Sequence, residues 1–179
     1  MIVLIALFGV SRYYSVKGDL VAARESVNAQ WSKVDAALQQ RADLIPNLVE
    51  AAQDFAGRES AVCHELADAR AALARARTPQ EEMAANDRLS TALSRLLLAA
   101  ETYPRSKSNA KFLRFQDELA DKWDRIAVER RKYNETLEHY NVEIQRFPAN
   151  LVAGIAGFSR DDAYFPTGPD ERAVPKGQF

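Results

Sequence analysis

The apolar residues of this chain keep one phase across a proline, and that constrains the fold more than any other feature. The series runs Val27, Trp31, Val34, Leu38, Arg41, Ile45, Leu48, Ala52, Phe55, Glu59, Val62, Leu66, Ala69, Leu73, Ala76. Steps of four and three make a heptad seam, the pattern of helices that pack side by side with a slight left-handed supercoil. Arg41 and Glu59 are its only polar members, and the register slips at neither Pro46 nor Gly57. Two helices joined by a loop have no reason to stay in phase. The spacing therefore predicts one long helix over residues 19–76, kinked at Pro46 and about 87 Å long. The competing reading is a break near Asp43, with Asp43 as an N-cap and Pro46 in the first turn of a new helix.

Thr78-Pro79-Gln80-Glu81 then marks a restart, with Thr78 as cap, Pro79 at the first helical position and Glu81 at the capping-box position. A second helix is expected to about Tyr103, with Leu89, Leu93, Leu96, Ala100 and Tyr103 on one face. Leu96-Leu97-Leu98 widens that face and predicts burial on more than one side. Beyond the loop Pro104–Asn109, a third helix is expected from Ala110 to Phe147. Its seam is Phe112, Phe115, Leu119, Trp123, Ile126, Arg130, Tyr133, Leu137, Tyr140, Ile144, Phe147. Pro148 opens a short fourth helix by the same first-position logic. Short loops make such helices antiparallel neighbours, so the fold class is all-α, an antiparallel helical bundle. The organisation expected is a membrane-anchor segment over 1–18, a bundle over 19–158, and a flexible tail over 159–179, rich in Gly, Pro and charge.

Proline has no N–H to offer the residue four places back, so Pro46 leaves the Ala42 carbonyl without its helical partner. A buried carbonyl left unpaired costs about 1–3 kcal/mol. Tyr133-Asn134 and Tyr140-Asn141, one heptad apart, put polar groups on the third helix's seam. They are expected to bond the freed backbone around Asp43, with Asn47 helping; the alternative makes the tyrosines ordinary core residues and leaves the carbonyl to water. Two readings stand for Arg41 also. Either it snorkels at the edge of the seam, or it is buried and partnered by a carboxylate from another helix, which sets register more than stability.

The chain opens on an apolar run, Met1-Ile2-Val3-Leu4-Ile5-Ala6-Leu7-Phe8-Gly9-Val10. A bilayer-spanning helix needs about 20 apolar residues, roughly twice this run. Neither a positive leading segment nor a small-residue cleavage site marks it as a signal peptide. It reads as part of a membrane helix, as a short interfacial anchor, or as a buried helix segment. Met1, Ile2, Val3, Leu4, Ile5, Leu7, Phe8 and Val10 are the anchor residues expected. Tyr13 and Tyr14 suit a membrane edge, and Arg12, Lys17 and Arg24 follow the run, which points to a cytoplasmic body.

Several stretches, in order, resemble the LemA family. They are Ala29–Glu59, centred on RADLIPNLVE; Glu101-Thr102-Tyr103-Pro104; Arg130-Arg131-Lys132-Tyr133-Asn134; Tyr140-Asn141; Phe147-Pro148; Gly157-Phe158; and Tyr164-Phe165. The resemblance implies a bacterial protein with a single-pass N-terminal membrane helix and a helical-bundle body, in a cell or organelle membrane. Some members of the family are linked to magnetosome formation, and others resemble companions of membrane proteases or envelope-maintenance systems. The chain departs from the family pattern in its short apolar run, at Gln40-Arg41 where two basic residues are common, at Ser106–Asn109, and at Trp123, which is expected to add an apolar contact.

No reaction is legible. Neither His64 nor His139 has a Glu three residues before it, as di-metal carboxylate bundles require. Cys63 and His64 are adjacent and point apart on a helix. G-x-S-x-G and phosphate-binding glycine loops are absent. Lys and Arg total 24 against 25 Asp and Glu, so the basic excess of a nucleic-acid binder is missing. No cofactor, metal or small-molecule substrate is expected. The function expected is a non-enzymatic, membrane-anchored helical scaffold that self-associates or holds a membrane-protein partner. The alternative is an adaptor or regulator of a membrane protease or envelope complex.

Overall fold

The structure, a computed structural model, describes residues 1–56, 60–101 and 110–166. Among them are five helices: α1 (Ile2–Ala56), α2 (Ser60–Arg75), α3 (Pro79–Glu101), α4 (Ala110–Glu143) and α5 (Ala149–Ala156). The all-α bundle is as expected, with a long first helix that passes through Pro46 without ending. Helix α1 begins far earlier than residue 19, because the apolar run and the segment after it are themselves helical. The break near Asp43 is not present.

The single helix over 19–76 is corrected. In one straight helix Ala42 and Arg70 would stand about 42 Å apart. Instead the Arg70 guanidinium meets the Ala42 carbonyl at 3.1 Å. Helix α2 therefore lies back alongside α1. The seam still predicts burial well: Val34, Leu38, Ile45, Leu48, Ala52, Leu66, Ala69 and Leu73 are all buried. Phe55 and Glu59 fall outside the described side chains.

The chain forms two compact units. One comprises Met1–Lys33 and Glu129–Tyr164; the other holds Val34–Val128 and the chain from Phe165. In the second unit α2 packs on α3, and Arg95 on α3 meets Glu65 on α2 at 2.6 Å. Helix α4 runs antiparallel to α1 there: Lys111 pairs with Glu50 at 2.8 Å, and Arg125, about four turns later, reaches back to Gln40 at 3.4 Å. The start of α3 is built as expected. The Thr78 hydroxyl accepts from the Glu81 N–H at 3.2 Å, the Glu81 carboxylate accepts from the Arg77 N–H at 2.8 Å, and Pro79 is the first helical residue. Leu89, Leu93, Leu96 and Ala100 are buried, but Leu98 is 61% exposed, so the triple leucine is not buried on several sides. Tyr103 lies outside the described residues.

In the first unit, Leu20 and Val27 of α1 and Leu137 and Tyr140 of α4 supply the core. Helix α4 stops at Glu143, and a turn over the next residues swings Phe147 out of the seam, where it is 78% exposed. Pro148 stands one residue before α5, at the N-cap position rather than the first helical position expected, and makes no side-chain cap bond. Helix α5 ends where Gly157 takes a left-handed φ of 77°, which lets the N–H of Phe158 return to the Ala153 carbonyl at 2.9 Å. After α5, Ala163 and Phe165 are buried.

Candidate functional site

The centre of the second unit is the turn of α1 around Pro46. Ala42 is buried, so its freed carbonyl needs a donor. The Nε–H of Arg70 supplies it. The expectation that Tyr133, Asn134, Tyr140 or Asn141 would do so is corrected: the donor comes from α2, which the straight-helix reading carried away from this turn. Asp43, Pro46 and Asn47 are exposed on the surface of α1.

One turn earlier, Arg41 is 1% exposed. It donates through Nη1 to the Ser90 hydroxyl at 3.2 Å and through Nη2 to the Asn86 side-chain oxygen and backbone carbonyl. Its guanidinium carbon stands 5.4 Å from the centre of the Trp123 ring, within reach of a cation–π attraction. Arg41 is thus buried rather than snorkelling, and in these contacts its acceptors are neutral groups of α3 instead of a carboxylate. Trp123 contributes more than an apolar contact, since its ring face receives the charge. Asn86 was missed by sequence reasoning. The signal was present: stepping back three residues from Leu89 along the α3 face lands on Asn86, itself 1% exposed.

Beside Pro46 lies a groove of about 970 Å³ between α1, α2 and the start of α3. Ile45, Val49 and Leu73 give it apolar walls, while Asp35, Asp43, Glu50, Glu82, Arg70 and Arg77 line it with charge. Burial, with the neighbouring Asp35 second, pushes the Glu82 carboxyl up to about 7. Cys63 also faces the groove, and burial raises its thiol above the ordinary range, which keeps it protonated and a poor nucleophile. Among the described residues no three His, Cys, Asp or Glu side chains stand close enough to hold a metal ion.

The tyrosine and asparagine pairs of α4 serve the first unit. The Tyr140 hydroxyl donates to the Ser159 carbonyl at 2.9 Å. Asn141 donates to the Asp161 carbonyl at 2.6 Å and to the Tyr164 hydroxyl at 2.8 Å, and its oxygen accepts from the Asp161 N–H at 3.0 Å. Tyr133 meets Trp31 edge to face at 5.1 Å. Burial, then Asp161 and Tyr164, pushes its hydroxyl up to about 12. Asn134 is half-buried. Tyr140 and Asn141 clamp the chain after α5 onto α4. Gln30 and Glu129 tie α1 to α4 at 2.7 Å, a bond that holds the Glu129 carboxyl below its usual range.

At the start of α1 the side chains of Met1, Val3, Leu4, Leu7, Phe8 and Val10 are all more than half exposed. Ile2 and Ile5 are helical, and their side chains lie outside the described ones. Tyr13 and Tyr14 follow, edge to face at 5.5 Å. Among the described residues no helix is long and apolar enough to cross a membrane, so the expected single-pass helix is not found.

Residues 30–179 match the LemA family. The chain is also similar to magnetosome protein MamQ 2 of Paramagnetospirillum magneticum, at 38% identity over 78 residues, and to magnetosome protein MamQ of Magnetospirillum gryphiswaldense, at 37% over 78 residues. Each match takes in 44% of this chain and 28% of the relative, so the chain spans under a third of those relatives' length.

Proposed function

The chain belongs to the LemA family, and from that premise we propose that it is a non-enzymatic, membrane-associated helical scaffold. The observation that carries the reading is the bare apolar start of α1. Six large apolar side chains over three turns face solvent, and they are followed by paired tyrosines and by Arg12 and Lys17. An apolar patch of that kind, bordered by aromatic and basic residues, suits a lipid interface. The basic residues after it favour a body on the cytoplasmic side. The relatives named as magnetosome proteins support a place on an organelle-type membrane.

The test is crosslinking in intact native membranes, with mass spectrometry of what is joined. Crosslinks mainly between copies of this chain support the scaffold. The groove beside Pro46 favours a second reading, an adaptor that seats a partner of a membrane protease or envelope complex. A reproducible foreign membrane protein, crosslinked through α1 or α2, favours that reading. Recovery of the chain in the soluble fraction, uncrosslinked to membrane components, overturns both.

A further inference from the structure

We infer that the groove beside Pro46 seats an amphipathic helix of a partner protein, and that an arginine or lysine of that helix enters between Asp35 and Glu82. This rests on the adaptor reading above and names the chemistry of the partner. The α1 wall of the groove runs from Asp35 to Glu50, about 22 Å or four turns of helix. The α2 wall is low. Ala67, Ala71 and Ala74 stand four and three residues apart on one face, all exposed. Side chains that small let another helix come close. Pro46 and Val49 on the α1 side offer it apolar contact. A helix laid in an apolar groove is a recurrent way for one protein to hold another.

Charge says what that helix must carry. The groove is lined by the carboxylates of Asp35, Asp43, Glu50 and Glu82 against the guanidinium groups of Arg70 and Arg77. Glu50 is already paired with Lys111 at 2.8 Å, and Arg70 holds the Ala42 carbonyl. Asp35 accepts from the neutral Gln39 amide at 2.9 Å. Glu82 Oε2 is buried and has no hydrogen-bond partner among the described residues. The Asp35 charge acts on it from α1. A buried carboxylate oxygen with no donor, beside a second carboxylate, wants a cation. A guanidinium or ammonium on an apolar stem supplies one, with the stem lying along the groove. A helix without such a group would bury Glu82 further and leave it unpaired, so the site selects against purely apolar helices. Burial, then Asp35, holds the Glu82 carboxyl up at about 7. An entering cation draws that proton off, so binding strengthens as pH rises through 7. The groups that share the groove with Glu82 are Asp35, Asp43 and Glu50 of α1, Cys63 and Arg70 of α2, and Arg77.

The experiment has two arms on the full chain. In the first, the purified protein is titrated with hexylguanidinium, and with neutral hexylurea as control, and followed by amide NMR. Saturable shifts at positions 35 and 82 with the cation alone are expected, weaker by roughly tenfold at pH 5.5 than at pH 8. The variant Glu82→Gln should lose both the shifts and the pH dependence. No saturable shift, or the same response in Glu82→Gln, overturns the proposal. In the second arm, a photoreactive benzoylphenylalanine replaces Val49 in intact native membranes, and the joined segments are sequenced by mass spectrometry. One helical segment of a foreign protein that carries Arg or Lys is expected, and Asp35→Asn with Glu82→Gln should cut its yield severalfold at wild-type helix content. Unchanged yield overturns the cation site and leaves the adaptor reading standing. Crosslinks only to a second copy of the chain overturn the proposal by assigning the groove to self-association. No foreign protein joined through α1 or α2 at all overturns the adaptor reading together with it.

Discussion

Arg70 donates its Nε–H to the carbonyl oxygen of Ala42 at 3.1 Å, and so replaces the helical bond that Pro46 cannot make. The bond joins α2 to the turn of α1 whose acceptor Pro46 leaves vacant. It gives the proline a use: an interruption in one helix becomes a specific docking point for another.

The two residues are therefore expected to be coupled. Arg70→Leu should cost about 1 kcal/mol, the net worth of a hydrogen bond at a partly exposed site. In a Pro46→Ala background the N–H at position 46 returns to Ala42, and the same Arg70→Leu change should cost close to nothing. Urea unfolding of the four proteins in this cycle measures the coupling. Equal costs in both backgrounds would refute it.

Arg41 is buried among Asn86, Ser90 and Trp123. Arg41→Met leaves the Asn86 oxygen buried without its donor and should destabilise by about 1–3 kcal/mol. Adding Asn86→Leu should recover part of that loss, since both polar groups are then gone. Arg41→Lys should also destabilise, because an ammonium lacks the planar fork and the flat face that meets Trp123. Thermal unfolding midpoints of the three variants check this.

Glu82 yields a pH dependence. Its carboxyl is raised to about 7 in the folded chain, from an ordinary value of 4.5. The folded state therefore holds this proton more tightly than the unfolded state. Between pH 4.5 and 7 the contribution of Glu82 to stability falls as pH rises, and above 7 the full penalty is present. Glu82→Gln removes it. The variant should exceed wild type at pH 8 and lose that advantage as pH falls towards 4.5. The side chain is only partly buried, and the solvent screening that remains keeps the gain below about 1 kcal/mol. Melting curves at pH 5 and pH 8 decide the sign.

Asn141 holds the chain after α5 through three hydrogen bonds. Asn141→Leu should cost about 2 kcal/mol and loosen that segment before anything else. Hydrogen exchange should speed up at the amide of Asp161, with the interior amides of α3 unchanged. Uniform acceleration across the chain would point to a global defect instead.

The amino-acid sequence by itself determined the apolar faces, the helix start at Thr78 and Pro79, and the open acceptor at Ala42. These follow from 3.6-residue periodicity, cap chemistry and the missing N–H of proline, all local to a few turns. It also showed Arg41 on a seam. Only the tertiary structure decided the partners. A seam records which side of a helix is apolar and says nothing of the direction in which the next helix runs. The unbroken phase past Gly57 was therefore compatible with a straight helix and with one that returns. Because α2 returns, Arg70 reaches Ala42 and a groove forms beside Pro46. Because α4 ends at Glu143, Tyr140 and Asn141 near its end meet residues 159–164, and Phe147 turns outward. Those pairings depend on which turns of distant segments lie opposite one another, and periodicity along one segment carries no record of that.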